Sequence, residues 1–279
     1  MTETPSLPLA WTDEGEGPAL VLLHGFGAHG GSWKPWLAGL RASYRVVNVD
    51  LKGSGRAPKP NDHRYAPADL AGLVRDLVRR LDLREVTLVG HSLGGGIALL
   101  AALRLLDDGE GRLGRVVSVA GAAYPQRTPP FARLARHPHL SAWALALLPP
   151  RWLVRTVMRQ IVVVQDAVTE ERVEMYAAPL RDPAARRALI RGGGLVVPDD
   201  LETLVARYPD IVVPTLCLWG RQDRVVPLSV GRRLTTSLPN ARLVILEGCG
   251  HLPMEEHPRE SLAALITFLE ETEADDATP

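Results

Sequence analysis

Cysteine is nearly absent. Only Cys217 and Cys249 occur in 279 residues. Two do not make a disulfide framework, and the expectation is a pair of reduced core thiols. A charge excess is missing too: 32 Lys and Arg balance 32 Asp and Glu. Nucleic acid and anionic membrane surfaces both favour a basic surplus, so neither is expected as a partner. No apolar run is long enough to cross a bilayer. The most apolar long segment, His139 to Val164, is broken by Pro149-Pro150 and carries Arg151, Arg155 and Arg159, whereas a span needs about 20 unbroken apolar residues. The N-terminal MTETPSLPLAW has no charged n-region leading into an apolar h-region. No secretory signal is therefore expected, and the chain reads as soluble and cytoplasmic. Internal repeats are missing, as is any Cys/His cluster with zinc spacing, since Cys249-x-His251 is too short to be one.

What is present suits a large single core: 46% hydrophobic and 23% charged residues over a length that needs no cross-links. Short runs rich in Val and Leu recur at Ala19 to Leu23, Arg45 to Val49, Val86 to Val89, Arg115 to Ala120, Thr215 to Trp219 and Arg242 to Leu246. They show little alternation, as strands buried on both faces of a parallel sheet do. Helical spacing marks Ala66 to Leu81, with Leu70, Leu73, Val74, Leu77, Val78 and Leu81 on one face. Ser92 to Leu106, Pro227 to Leu238 and Pro258 to Glu271 also read as helices. This order predicts an α/β fold with a mostly parallel central sheet flanked by helices.

The alternation stops after Gly121. Residues 124–207 show only helical patterns, interrupted at Pro149-Pro150, Pro179, Pro183, Gly192-Gly193-Gly194 and Pro198. The economical division is a core of residues 1–123 and 208–272, a helical insertion at 124–207, and a disordered polar tail at 273–279.

The densest signal is VTLVGHSLGGG, Val86 to Gly96. It places G-x-S-x-G between a predicted strand and a predicted helix. A serine at the tip of so sharp a turn leaves no space for side chains two residues either side, which explains Gly90 and Gly94. The turn lifts Ser92 over the C-terminal edge of the sheet and places the Leu93 amide at a helix N-terminus. No Lys-Ser/Thr pair follows, so the loop is not a nucleotide P-loop.

With these residues the chain resembles the α/β-hydrolase family, capped subfamily, over nearly its whole length. LHGFG at 23–27 is similar to the family's HG loop, which implies a second oxyanion-hole amide at Phe26 beside that of Leu93. DLKGSGRA at 50–57 resembles the D-x-x-G-x-G-x-S loop, with Ala57 where serine is common. LWGRQDRVVP at 218–227 resembles the acid-bearing loop and implies Asp223. GCGHLPMEEHP at 248–258 resembles the histidine loop and implies His251. Some family members carry the acid after the preceding core strand, but Gly121-Ala122-Ala123 has no carboxylate. Of the other histidines, His24 is expected to order its loop and His91 to point away from Ser92. Asp50 is expected to order a loop, and Glu255 and Glu256 to face solvent or cap the last helix.

A serine hydroxyl needs a base, and the base needs a partner that fixes its tautomer. The chain order Ser92, Asp223, His251 is the one this fold uses. Such a site needs neither metal nor organic cofactor. The resemblance implies a serine hydrolase acting on a small-molecule ester, a carboxylesterase with an apolar acyl pocket under a cap. Its serine separates it from relatives with aspartate at the elbow, namely haloalkane dehalogenases and epoxide hydrolases. Two alternatives stay open: C–C bond hydrolysis of the meta-cleavage-product type, whose enzymes often carry asparagine where this chain has His91, and a small-molecule receptor with little turnover. Leu140, Trp143, Leu147, Leu148, Trp152, Leu153, Val157, Ile161 and Val162 offer a pocket lining at near-helical spacing, with Trp143, Leu147, Trp152 and Leu153 expected to contact substrate. Twelve arginines against eight acids between Ala122 and Arg207 read as a solvated face, or else as a preference for acidic substrates.

Overall fold

All five residues of the strand Ala19–Leu23 are buried. Leu20 and Leu22 join a core containing Trp33, Trp36 and Phe268, while Val21 and Leu23 join another with Leu77, Leu99 and Leu234. A strand with apolar layers on both sides has no use for polar alternation, which is why its sequence shows none. Each such side chain contributes about 1.5–3 kcal/mol by leaving water. The computed structural model describes residues 7–125, 137–197 and 201–276.

In chain order the structure runs β1 (Ala10–Glu14), β2 (Ala19–Leu23), α1 (Lys34–Leu40), β3 (Arg45–Asp50), α2 (Pro67–Arg80), β4 (Val86–His91), α3 (Leu93–Asp107) and β5 (Leu113–Val119). It continues through α4 (Pro138–Leu147), α5 (Pro150–Ile161), α6 (Glu170–Ala177), α7 (Pro183–Gly194) and α8 (Leu201–Ala206). It closes with β6 (Thr215–Gly220), α9 (Leu228–Ser237), β7 (Ala241–Leu246), α10 (Pro253–Glu256) and α11 (Pro258–Asp276). The seven strands lie in the order β1-β3-β2-β4-β5-β6-β7. Every neighbouring pair is parallel except β1 with β3, where Ala10 faces Asp50 and Glu14 faces Val46. Helices α2, α3 and α9 cover one face, and α1 and α11 the other. The fold is thus the mostly parallel, helix-flanked sheet predicted above.

Local chemistry sets the helix ends. Pro67 opens α2, and the Asp69 carboxylate accepts the Ala66 N–H at 3.2 Å. Among the described residues, β5 and β6 are joined only by helices and turns. Prolines open α4, α5 and α7 at Pro138, Pro150 and Pro183. The three glycines expected to interrupt this region instead form the last turn of α7; Pro198 lies outside the described residues. The tail also departs from expectation. Helix α11 runs on to Asp276, beyond the predicted start of disorder at 273, while 277–279 lie outside the described residues. Thr272 anchors that last stretch, with its hydroxyl accepting from Arg115 Nε at 2.5 Å and donating to the Phe268 carbonyl at 2.9 Å. No helix among the described residues is long and apolar enough to cross a membrane.

Candidate active site

Four glycines surround Ser92 because backbone crowds each of them. A Cβ on Gly90 would stand 2.1 Å from the Gly94 carbonyl oxygen, and one on Gly94 2.3 Å from that of Leu23. Gly95 and Gly96 likewise meet the backbone of Gly121 and Ala122 at 2.6 Å. Ser92 itself holds φ +53° and ψ −118°, a conformation that costs a non-glycine residue about 1–3 kcal/mol. Hydrogen bonds secure it. Its N–H donates to Val119 O at 3.0 Å, and its carbonyl accepts the amides of Gly95, Gly96 and Ala122.

The structure brings Ser92, His251 and Asp223 together from three loops at the C-terminal edge of the sheet. His251 Nε2 lies 2.9 Å from Ser92 Oγ, and His251 Nδ1 lies 2.8 Å from Asp223 Oδ2. Both partners of the second contact are buried. The other carboxylate oxygen of Asp223 accepts the amides of Val225 at 2.7 Å and Val226 at 3.0 Å. That leaves Oδ2 to accept the hydrogen bond from Nδ1–H, which keeps the proton on Nδ1 and presents Nε2 as an acceptor towards the hydroxyl. The arrangement can draw a proton from Ser92 as its oxygen attacks a carbonyl carbon.

Phe26 and Leu93 flank Ser92 on the wall of the adjoining cavity. Leu93 is the first residue of α3, where amides have no partner within the helix. The loop bearing Phe26 is held by His24, whose Nδ1–H donates to Gly25 O at 2.8 Å while Nε2 accepts the Leu51 amide at 3.1 Å. Burial depresses the His24 pKa to about 4, so the ring stays neutral and keeps this donor–acceptor pattern. Asp50 accepts the amides of Gly30 at 2.7 Å and Arg56 at 2.9 Å. Burial pushes its pKa up, but those amides outweigh it and the net shift is downward. His24 and Asp50 thus order their loops, as expected.

Ser92 and His251 open onto a cavity of about 380 Å³ walled largely by apolar side chains. Its outer wall is one face of α4 and α5, including Ala144, Leu145, Leu153, Val157, Met158 and Ile161. Of the four side chains expected to contact substrate, Leu153 lines the cavity, and Trp143, Leu147 and Trp152 do not. They are 65%, 70% and 53% exposed, and Leu140 and Leu148 also face outward. Helical geometry explains the correction: Leu140, Trp143 and Leu147 fall on the opposite face of α4 from Ser141, Ala144 and Leu145. No lysine, arginine or carboxylate lines the cavity among the described residues. Several arginines of this region are ion-paired instead, Arg151 and Arg155 with Glu170 and Arg181 with Glu174.

Three residues take places the sequence did not suggest. His91 does not turn away from the site. Its Nε2–H donates to His251 O at 2.8 Å, and the two rings lie 4.9 Å apart. Burial, and then the neighbouring His251, lower its pKa to about 3. Glu255 and Glu256 are buried rather than solvated. Burial raises the Glu255 pKa to about 7, and its carboxylate accepts from the cavity-lining Tyr176 hydroxyl. Glu256 accepts backbone amides on both sides of His251. The only prior signal was an acidic pair four and five residues after a histidine, which does not reveal which way the loop folds. Both cysteines are buried and unpaired.

The comparisons with known proteins agree with this architecture. The family described as "Alpha/beta hydrolase family" matches residues 20–265. "Uncharacterized hydrolase YugF" of Bacillus subtilis (strain 168) is 32% identical over 248 residues, covering 86% of this chain and 85% of that protein. A "Pimeloyl-[acyl-carrier protein] methyl ester esterase" of Aliivibrio salmonicida is 28% identical, covering 94% and 96%. Among solved structures, "an alpha/beta hydrolase fold protein from Burkholderia ambifaria" superposes with a TM-score of 0.81 at 28% identity, covering 93% of each chain. A family match over most of the chain, on a sheet of the same kind, leaves one conclusion: this protein belongs to the alpha/beta hydrolase family.

Proposed function

We propose that this hydrolase cleaves carboxylic esters through an acyl-enzyme formed on Ser92. The observation that carries the reading is the hydrogen-bonded chain Ser92–His251–Asp223 at the mouth of an apolar cavity. Ser92 Oγ bonds to the ester carbonyl carbon while its proton passes to His251 Nε2. The resulting oxyanion rests on the amides of Phe26 and Leu93, an interaction of which each donor typically accounts for ~10²–10³ in turnover. As the C–O bond breaks, His251 returns the proton to the departing alcohol. Water then enters, and its oxygen bonds to the acyl carbon as one proton passes to the same nitrogen. The bond to Ser92 Oγ breaks as His251 returns that proton to Oγ, which releases the acid and restores the free site. Asp223 fixes the tautomer and stabilises the imidazolium.

Residues 124–207 serve as a cap over a core of 1–123 and 208–272, and Leu153 with its neighbours on α5 holds the acyl group. The esterase name of the Aliivibrio relative supports ester chemistry. So does the uncharged cavity lining among the described residues, because a substrate carboxylate would find no cation there.

A panel of p-nitrophenyl esters from acetate to palmitate, with a vinylogous diketone acid beside it, tests this. Ester turnover that falls at least about 10⁴-fold in Ser92→Ala is the expected result. Turnover of the diketone with inert esters would replace the reading with C–C hydrolysis. Labelling of Ser92 in a single turnover, with none following, would replace it with a receptor.

A further inference from the structure

His251 owes its place to its backbone as well as its ring. Its N–H donates at 2.9 Å to the carbonyl of Ile161, the last residue of α5. The amides on either side of it converge on one buried carboxylate, that of Glu256. Gly250 N donates to both oxygens, at 3.1 and 3.0 Å, and Leu252 N to Oε1 at 3.0 Å. The same carboxylate accepts Val163 N at 2.7 Å and Val164 N at 3.1 Å, from the two residues just beyond the helix cap of α5. Gly250 makes this close approach feasible, since a Cβ there would lie 2.6 Å from Ile161 O and 3.0 Å from Val163 N.

Helix α5 is also a wall of the cavity, through Leu153, Val154, Val157, Met158 and Ile161. The element that meets the acyl group is therefore tied through its last turn to the loop carrying the imidazole. We propose that Glu256 is a positioning residue: it fastens the His251 loop to the end of α5 and so keeps the imidazole within reach of Ser92 Oγ. This rests on the reading of His251 as the base. The chemistry of the side chain suits the task. An ionised carboxylate is acceptor-only, with about four lone-pair directions for four converging N–H groups. Glutamine would set an NH₂ against those donors. Displacing a reacting group by about 1 Å costs on the order of 10²-fold in rate.

Two variants test the assignment. Glu256→Gln disrupts the acceptor. Val164→Pro removes one amide on the α5 side and keeps the carboxylate, and Val164 already holds φ −78°, which a proline ring accommodates. Each preparation is titrated to completion with a p-nitrophenyl phosphonate, which counts reactive serines, and then assayed with p-nitrophenyl butyrate. Glu256→Gln is expected to lower kcat per titrated site about 10–100-fold with KM within about threefold. Its rate of phosphonylation should slow in parallel, and Val164→Pro should show a smaller loss of the same kind. Unchanged kcat per site in both variants, even with fewer sites or a lower Tm, overturns the proposal and leaves Glu256 a merely structural residue. A wild type that neither takes phosphonate nor hydrolyses ester removes the hydrolase reading itself, a result distinguishable from the first.

Discussion

Gly94 occupies a helix position where alanine would ordinarily be an improvement. It is the second residue of α3, and in an unencumbered helix Gly→Ala gains about 1 kcal/mol. Here the added methyl would press on the carbonyl oxygens of Leu23 and His24 at 2.3 and 2.5 Å. Both belong to the strand end that leads into the loop of Phe26, and neither is a flexible side-chain tip. Overpacking of this kind costs about 1–3 kcal/mol, so the sign of the effect reverses. Gly94→Ala is expected to lower the urea midpoint and to depress ester hydrolysis, because relief of the clash moves Phe26 or Leu93. A variant of equal or greater stability would show that the turn has more room than these distances indicate.

At the scale of elements, the two faces of α4 and α5 separate packing from display. Val157 lines the cavity, whereas Trp143 is largely exposed. Val157→Trp is expected to cut kcat/KM for octanoate and longer esters at least tenfold while sparing acetate, since one added ring removes room for several methylenes. Trp143→Ser should leave the ester profile unchanged and shift stability by no more than about 0.5 kcal/mol. A chain-length panel run on both variants distinguishes them. The elements also differ in how far their sequences disclosed them. The six parallel strands were legible within two residues at each end, because continuous Val/Leu runs ended by Gly, His, Asp or Glu have few other uses. β1 was not, since Ala-Trp-Thr-Asp-Glu is a half-exposed edge strand without a dense apolar run. The loops bearing Ser92, Asp223 and His251 were legible through motif order. The face that α4 turns to the cavity was not, because Leu140, Trp143 and Leu147 make a more apolar stripe than Ser141, Ala144 and Leu145. Only the tertiary fold decides which stripe is buried.

Across the whole molecule, burial of a few titratable groups shapes how stability responds to acid. His91 and His24 have pKa values of about 3 and 4 in the fold against 6.5 unfolded, both chiefly through burial. Between about pH 4 and 6.5 each binds a proton only in the unfolded chain, so each makes stability rise with pH there and stop rising above 6.5. Glu255 acts in the opposite sense. Burial raises its pKa to about 7 from 4.5, so between these values the folded chain holds the extra proton and stability falls as pH rises. The carboxylates with lowered pKa values start from 3.8 for aspartates such as Asp50 and Asp62 and from 4.5 for glutamates such as Glu170, so they contribute mainly below the window. From pH 4.5 to 6.5 two histidine protons oppose one from Glu255, a net slope of one proton, or about 1.4 kcal/mol per pH unit. Stability is therefore expected to peak near pH 6.5 and to lose about 3 kcal/mol on acidification to pH 4.5. In His91→Gln, whose amide still offers a neutral N–H towards the His251 carbonyl, one histidine proton is left against Glu255 and the profile should be nearly flat across that interval. Urea denaturation at half-unit steps of pH reads both curves. Parallel acid limbs for wild type and variant would show that His91 is not held neutral behind His251.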